Sequence, residues 1–393
     1  CFSNMEGGME ISLNKIKEDD IIKILFAENP GIVIQVKDKH KEEVKKILED
    51  AGIGYVKLGK PTEERHILVE KGDATYQFGI DYLRDVWYST SYLLDRKQSM
   101  NGCAKKRFEN YKKQPLEFVF DKSFTGKLSQ FDLNPDRRTP TGIKAAIIRE
   151  KGTNGEREMA YMLYLAGFDV KDVTMTDLVS GRETLEDINF IVFCGGFSNS
   201  DVLGSAKGWA GAFLFNPKAK AALDNFYARK DTLSLGVCNG CQLMIELNLI
   251  NPDFTQKAKM LHNDSHKFES KFVGVTVPMN RSVMFGSLSG SKLGIWVAHG
   301  EGKFSLPYHE DKYNVVLKYS YDEYPGNPNG SDYSVAGLAS PDGRHLAMMP
   351  HLERSCFPWQ NAYYPADRIK NDQITPWMEA FVNARKWIEM NKK

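Results

Sequence analysis

The spacing of apolar positions changes along the chain and predicts two regions of different architecture. Before residue 99, short strand-like runs are mixed with helical patterns: runs at 24–26, 31–36, 55–58 and 67–70, and helices at 39–51 and around 83–94. This mixture predicts a smaller α+β domain at residues 1–98. Residues 99–142 have few periodic apolar positions and several basic clusters, which predicts a solvated linker.

From residue 143 onward, apolar runs with the length of buried strands alternate with amphipathic helices. The predicted strands are 145–148, 169–174, 190–194, 233–237, 272–277, 294–298, 335–339 and 346–349, and the predicted helices are 156–166, 217–227 and a terminal helix. Alternation of this kind is typical of an α/β domain. We therefore expect an open, mainly parallel sheet at residues 143–393, with its functional site at the carboxyl ends of the strands.

One junction between a strand and a helix carries a thiol between two glycines. Cys238 directly follows the apolar run 233–237, and Gly236 and Gly240 lie on either side of it. A sharp turn from a buried strand into a helix is the plan of a nucleophile elbow, here with sulfur in place of oxygen. The helix N-terminus favours a thiolate because its N–H groups are unpaired. The segment therefore predicts Cys238 as a nucleophile.

A cysteine nucleophile needs a base and a group that orients the base. Five of the eight histidines have a carboxylate two residues later, where an extended chain turns both side chains to one face. Three of the five lie at a helix start or in polar loops: His40, His262 and His309. Of the two remaining pairs, His351 and Glu353 follow an apolar strand, whereas His299 and Glu301 lie in a glycine-rich loop. We select His351 as base and Glu353 as its orienting group, and we expect the loop to shape the pocket.

Backbone N–H groups near the thiol predict an oxyanion hole. Gly195 and Gly196 come directly after a buried strand, and the N–H of Asn239 is next to the nucleophile. Gln242, four residues after Cys238, is expected near the mouth of the pocket. A polar, aromatic and acidic segment suits a small zwitterion, although a solvated loop has the same residue types: Asn263, Ser265, Phe268 and Glu269.

The spacing of Cys238 and Cys241 also fits a redox or zinc motif. A structural zinc site needs a second pair of ligands, and the other cysteines are isolated in the sequence. A thioredoxin-like motif does not require glycine on both sides of its first cysteine. We therefore expect no metal, and we expect Cys241 to be a packed small side chain.

The bulk composition excludes several classes of partner. The chain has 52 Lys+Arg against 51 Asp+Glu, so it has no overall field for nucleic acid or a membrane surface. Apolar stretches are too short to span a bilayer. Scattered cysteines fit a reducing compartment, and we expect a cytoplasmic protein. Because the chain opens on Cys1 and not on Met, we expect it to be the C-terminal part of a longer polypeptide.

Six segments resemble class I (triad-type) glutamine amidotransferases and, more narrowly, the C-terminal part of large-type phosphoribosylformylglycinamidine synthases: 149–160, 194–204, 236–242, 299–302, 324–331 and 340–354. Earlier segments, 25–36 and 83–90, resemble the end of the synthetase region of those enzymes. The resemblance spans nearly the whole chain. It implies a flavodoxin-like glutaminase fold for residues 143–393 and the C-terminal part of an AIR-synthetase-like domain for residues 1–98.

The resemblance also implies the chemistry. Cys238, His351 and Glu353 would form a triad that hydrolyses glutamine, and the ammonia would serve ATP-dependent conversion of formylglycinamide ribonucleotide to the amidine in purine biosynthesis. The glutaminase step needs no cofactor, whereas the complete synthase needs ATP and Mg²⁺ and an N-terminal synthetase portion. The implied glutamine-binding residues are Gln242, Asn263, Ser265, Phe268, Glu269, His299 and Glu301. Leu352 replaces a proline that is usual in the family, which leaves the geometry between base and orienting group less constrained.

The residues by themselves are also compatible with two other functions. One is another Cys-dependent amidase or peptidase on a similar sheet, and the other is a non-catalytic docking module. A complete Cys, His and Glu set favours an enzyme, and the pocket segments favour a small amino acid as substrate.

Overall fold

A computed structural model describes residues 6–114 and 116–392, and the chain divides into two compact units between Leu94 and Asp95. Residues 99–142, which the sequence predicts as a linker, belong to the second unit. Phe124 and Phe131 of this segment are buried in the core of that unit. Their aromatic side chains supply the packing, so the segment needs no periodic apolar pattern.

The first unit contains a four-stranded sheet in the order β2-β1-β3-β4, in which β1 and β3 are parallel and the other pairs are antiparallel. Its elements are β1 (Gly8–Ser12), α1 (Ile21–Phe26), α2 (Lys41–Asp50), β2 (Gly59–Thr62), β3 (His66–Lys71), β4 (Ala74–Gly79) and α3 (Ile80–Gln98), whose last residues lie in the second unit.

Three strands predicted in this unit are wrong. Residues 24–26 lie in α1, because the Asp20 side chain accepts a hydrogen bond from the Ile22 N–H (2.9 Å) and caps the helix. Residues 31–36 and 55–58 have no regular structure. Ile32 is 90% exposed, so this apolar run lacks the burial that stabilises a strand. Only the run at 67–70 lies in a strand, β3.

The second unit holds most of the regular structure. Its elements are α4 (Cys103–Asn110), β5 (Lys144–Arg149), α5 (Glu156–Ala166), β6 (Asp169–Thr174), α6 (Met175–Ser180), β7 (Phe190–Phe193), α7 (Lys207–Phe215), α8 (Pro217–Ala228), β8 (Leu233–Val237), α9 (Asn239–Glu246), β9 (Lys259–Leu261), β10 (Glu269–Thr276), β11 (Lys292–His299), β12 (Lys303–Ser305), β13 (Asn314–Tyr319), β14 (Val335–Ala339), β15 (His345–Met348) and α10 (Trp377–Asn391).

A nine-stranded sheet in the order β11-β10-β13-β14-β15-β8-β7-β5-β6 runs through this unit. The five strands from β15 to β6 are parallel, and their order relative to the sequence is the 2-1-3-4-5 of flavodoxin-like sheets. The other four pairings are antiparallel. The α/β class is therefore confirmed, and the antiparallel half extends the parallel half at β15.

The sheet order brings three chain segments to one edge. Strand β8 lies between β7 and β15, and all three strands are fully buried. Parallel strands end at the same edge, so the residues that follow β7, β8 and β15 meet there. None of the helices in the described part of the chain is long and apolar enough to cross a membrane.

Candidate active site

Cys238 lies on a strained turn between β8 and α9. Its backbone has φ 52° and ψ −105°, a conformation that non-glycine residues rarely adopt. A Cβ on Gly236 would lie 2.5 Å from the Gly240 carbonyl oxygen, and one on Gly240 would lie 2.0 Å from that of Phe193. The turn therefore closes only with glycine at both positions, which is the physical reason for the motif.

The thiol is held against neighbouring strands. The Cys238 N–H donates to the Met348 carbonyl oxygen (2.9 Å) at the end of β15. Its Sγ lies 3.4 Å from the Ala298 carbonyl oxygen on β11, and the residue is 5% exposed. The sulfur is thus largely shielded from water, at the edge where the three parallel strands end.

His351 and Glu353 form a buried pair just after β15. Nδ1 of His351 is 2.6 Å from Oε1 of Glu353, and both side chains are 2% exposed. Burial acts to lower the pKa of His351, but the Glu353 charge, together with a contribution from Cys238, outweighs it and raises the pKa to about 10. Nε2 of His351 has no hydrogen-bond partner among the described residues. The imidazole is therefore oriented through one nitrogen and open at the other.

Gly195 marks where the thiol and the imidazole meet. A Cβ added to Gly195 would lie 2.8 Å from Cε1 of His351 and 3.4 Å from Cβ of Cys238. The two side chains thus flank one point of the backbone that follows β7. A side chain at position 195 would occupy the space between them, so glycine is required for their approach.

The other candidate base, His299, is in a different electrostatic state. Its Nδ1 is 3.2 Å from Oδ1 of Asn263, and no carboxylate in the described part of the chain forms an ion pair with the ring. Burial lowers the pKa of His299 to about 3, so its imidazole is neutral at physiological pH. This contrast favours His351 over His299 as the charged partner of a thiolate.

Gly196 and Asn239, two of the residues selected for an oxyanion hole, make different hydrogen bonds to their surroundings. Gly196 has φ 124°, and a Cβ there would lie 2.6 Å from the Gly152 carbonyl oxygen. The backbone hydrogen bonds between this loop and residues 152–154 are donated by the N–H groups of Asn154 and Phe197. These bonds do not use the N–H of Gly196. The Asn239 side chain accepts from the Ser198 N–H and donates to Gln242, which holds the start of α9 against the loop.

A cavity of about 270 Å³ opens beside the thiol. Six of the residues selected from the sequence lie in its wall: Gly196, Cys238, Gln242, Phe268, His299 and Glu301. Gln242 is oriented there, since its Nε2 donates to the Glu301 carbonyl oxygen (2.7 Å). The volume is slightly below the range of about 300–1,000 Å³ common for drug-sized ligands and suits a smaller molecule.

Three residues predicted for the pocket lie outside the cavity wall. Asn263 donates to the Lys267 and His299 carbonyl oxygens and accepts from the Gly302 N–H. Ser265 donates to Glu269 (2.5 Å), whose other oxygen is 2.6 Å from Nζ of Lys271. These polar groups are buried and satisfy one another, as buried polar groups must. They hold the segment 263–269 in shape, and Phe268 is the member that reaches the cavity. Gly195, Asn239, His351 and Glu353 are also outside the wall.

The cavity wall contains five residues that sequence reasoning missed, and three more that lie in segments expected to shape the pocket but were not selected individually; the five are Phe197, Asp201, Ser205, His262 and Ala298, and the three are His266, Lys267 and Gly300. Phe197, Asp201 and Ser205 follow the glycine pair, in a segment whose polar residues resemble a turn in the sequence. The one signal in the sequence for the positive φ of Asp201 is that Asp tolerates this backbone conformation better than most residues do. The others border predicted residues, and no pattern of their own marks them.

Comparison with known proteins places the chain in a family. The profile of the family described as "CobB/CobQ-like glutamine amidotransferase domain" matches residues 142–388. A probable phosphoribosylformylglycinamidine synthase (chloroplastic/mitochondrial) of Arabidopsis thaliana is 37% identical over 396 residues, which cover 94% of this chain and 27% of the relative. The phosphoribosylformylglycinamidine synthase of Homo sapiens is 38% identical over 403 residues, which cover 94% of this chain and 29% of the relative.

The chain thus spans less than a third of the length of these two relatives. A solved structure, PurLQS from Thermotoga maritima, is 27% identical with a TM-score of 0.48 and covers 64% of this chain and 99% of its own. The resemblance to phosphoribosylformylglycinamidine synthases predicted from the sequence is confirmed by the curated relatives. By the match over residues 142–388, the chain belongs to the family of CobB/CobQ-like glutamine amidotransferase domains.

Proposed function

We propose that this chain is the glutaminase portion of a phosphoribosylformylglycinamidine synthase. In this proposal residues 143–393 are the glutaminase domain, residues 1–98 are the end of the synthetase region, and residues 99–142 link the two along the chain while packing against the second unit. The observation that carries the proposal is the convergence of Cys238, on its strained turn, with the buried His351–Glu353 pair at Gly195. The family match and the names of the relatives support the choice of glutamine as substrate.

The first half-reaction forms a thioester and releases ammonia. The Cys238 thiolate attacks the side-chain amide carbon of glutamine, and the developing oxyanion accepts hydrogen bonds from the N–H groups of Gly196 and Asn239. His351, charged at neutral pH because its pKa is about 10, donates the proton of Nε2 to the leaving nitrogen. The C–N bond breaks as ammonia leaves.

The second half-reaction restores the thiolate. His351, now neutral, takes a proton from a water molecule that attacks the γ-glutamyl thioester, and glutamate leaves when the C–S bond breaks. Glu353 holds Nδ1 throughout, so Nε2 stays aimed at the reacting atoms. Leu352 between them is fully buried, which fixes the short 3₁₀ turn without the proline that is usual in the family.

In the complete synthase, the ammonia would react with formylglycinamide ribonucleotide activated by ATP, which requires Mg²⁺ and a synthetase portion on a longer polypeptide. Among residues 6–114 and 116–392, no group of three or more His, Cys, Asp or Glu is placed to hold a metal ion. We therefore assign no metal or nucleotide step to this chain, and we propose a cytoplasmic location for the activity.

The test is labelling with a diazoketone analogue of glutamine, followed by peptide mass spectrometry and by glutamate-release assays. We expect one label, on Cys238, and its loss in Cys238→Ala, whereas the matched variant Cys103→Ala keeps it. Labelling that persists in Cys238→Ala would defeat the assignment. Hydrolysis of peptide amides without hydrolysis of glutamine would favour another Cys-dependent amidase, and no hydrolysis at all would favour a docking module.

A further inference from the structure

The cavity wall contains two carboxylates that the proposed mechanism does not use. The N–H of Ser205 donates to Oε2 of Glu301 (3.3 Å), and its hydroxyl donates to Oδ2 of Asp201 (3.4 Å). All three residues line the same cavity as Cys238. One neutral serine therefore joins two acidic side chains at the wall of the cavity.

The backbone that presents Asp201 is strained. Asn199, Ser200 and Asp201 have φ of 52°, 56° and 50°, three consecutive non-glycine residues in the left-handed region. Such strain persists where the surrounding structure enforces it, and it is often found at ligand sites. Oδ1 of Asp201 is buried without a hydrogen-bond partner in the described chain. Burial and the Glu301 charge raise the pKa of Asp201, while the nearby Ala206 N–H lowers it.

Two basic side chains in the cavity wall, Lys267 and His262, do not fully neutralise the charges of Asp201 and Glu301. Lys267, which lines the cavity, bonds to Asp95 (3.1 Å). Nδ1 of His262 is 4.0 Å from Oε1 of Glu301, and that histidine side chain is 66% exposed. A positively charged group with several N–H donors would complement the two carboxylates, because burying like charges together without one is costly.

An independent observation on the same wall also calls for an N–H donor. Both N–H groups of the Asn263 amide are used by backbone carbonyl oxygens, so its Oδ1 accepts from Nδ1–H of His299. That fixes the tautomer, and Nε2 of the neutral His299 carries a lone pair. This nitrogen is buried and has no partner among residues 6–114 and 116–392, and the residue is 2% exposed.

We propose that Asp201 and Glu301 bind the α-ammonium group of the amino-acid substrate, and that Nε2 of His299 accepts a further N–H from it. This inference rests on the proposed function, since it places glutamine in the cavity beside Cys238. It adds Asp201 to the specificity-determining residues and explains how an α-amino acid amide is preferred to a simple carboxamide. The strained loop 199–201 then serves to present one carboxylate of the pair.

The test measures binding by calorimetry in a Cys238→Ala background, which keeps the cavity and prevents turnover. The ligands are glutamine and 4-carbamoylbutanoate, which is glutamine without its α-amino group. The test variants are Asp201→Asn, which tolerates the left-handed backbone, and Glu301→Gln. The control is Glu246→Gln, which removes the same charge from the end of α9, where Glu246 pairs with Lys257 outside the cavity wall.

We expect glutamine to bind roughly 30-fold or more tightly than the analogue, a ratio typical of hydrogen bonds to charged groups. Asp201→Asn and Glu301→Gln should each reduce that ratio at least about fivefold by weakening glutamine alone, and Glu246→Gln should leave it unchanged. Equal weakening of both ligands, an unchanged ratio or no binding of glutamine would each overturn the proposal. Glutamate release by the unmutated chain is measured separately, so failure of hydrolysis with binding intact would reject the proposed function and not this site.

Discussion

Replacing Glu353 by Gln tests how the charge on His351 is maintained. The change keeps the size of the side chain and an oxygen that accepts from Nδ1, and it removes the negative charge. For charge centres roughly 4 Å apart at an effective dielectric constant of about 20, the lost attraction is about 4 kcal/mol. At 1.36 kcal/mol per unit, this corresponds to a fall of about 3 units in the pKa of His351.

The predicted fall is similar in size to the rise in the pKa of His351 that the structure shows, and His299 shows the direction in which burial acts. The pKa of His351 is raised from 6.5 to about 10 beside Glu353, and that of His299, equally buried and without an ion pair to a carboxylate in the described chain, is lowered to about 3. In Glu353→Gln, burial and the remaining contribution of Cys238 set the pKa of His351, and a fall of about 3 units from about 10 brings it to roughly 7. At pH 8 about one imidazole in ten would still carry the proton for the leaving nitrogen, so kcat for glutamine at that pH should fall at least about tenfold.

The assay is an NMR titration of the chain with ¹³C- and ¹⁵N-labelled histidine, in which His351→Gln identifies the resonance. Ammonia release measures kcat in parallel. Glu301→Gln is the matched control, because it removes the carboxylate of the other His-x-Glu pair and should leave the pKa of His351 high. The reasoning is refuted if His351 in Glu353→Gln titrates within one unit of the unmutated chain.

Three further changes follow from the same geometry. His351 binds a proton more tightly in the folded chain than in the unfolded chain, so the stability that its protonation adds is complete below about pH 6.5 and is lost as the pH rises to about 10. The difference in free energy of unfolding between the unmutated chain and His351→Gln should therefore shrink over that range. A difference that grows with pH would contradict the sign of this effect. Gly240→Ala places a Cβ 2.0 Å from the Phe193 carbonyl oxygen and should lower the free energy of unfolding, measured in urea, by about 1–3 kcal/mol or more. The control is Gly286→Ala, whose added Cβ meets nothing within 4 Å and should change the free energy of unfolding little. Equal stabilities of the two variants would refute the packing argument. Asn263→Ala removes the partner of four buried groups and should destabilise the chain by about 1–3 kcal/mol; a raised KM for glutamine at unchanged stability would instead indicate direct substrate contact.

Local pattern determined much of the second unit. Runs such as 190–194 and 233–237 are continuously apolar because parallel strands are buried on both faces, so the residues themselves identify them. The elbow was predictable for a similar reason: a turn that places backbone within 2.0 Å of a missing Cβ admits only glycine at position 240. The pairing of His351 with Glu353 was predicted from the two-residue period of extended chain, whereas in the structure residues 352–354 form a 3₁₀ turn and the 2.6 Å contact is made within that turn.

Other features depended on partners far away in the sequence. Residues 31–36 have the composition of a strand but no regular structure, because a strand requires a neighbouring edge that composition does not specify. Asn263 and Glu269 are polar residues in a pocket segment, yet neither lines the cavity: the Asn263 side chain bonds to the His299 backbone and that of Glu269 pairs with Lys271. The sequence by itself determined the buried strands that precede Cys238 and His351, because continuous apolar runs identify them, and spacing along the chain was enough to predict these two residues as the candidate nucleophile and base. Tertiary structure alone decided which polar groups face the cavity, because burial and hydrogen-bond satisfaction are set by whatever the fold brings alongside.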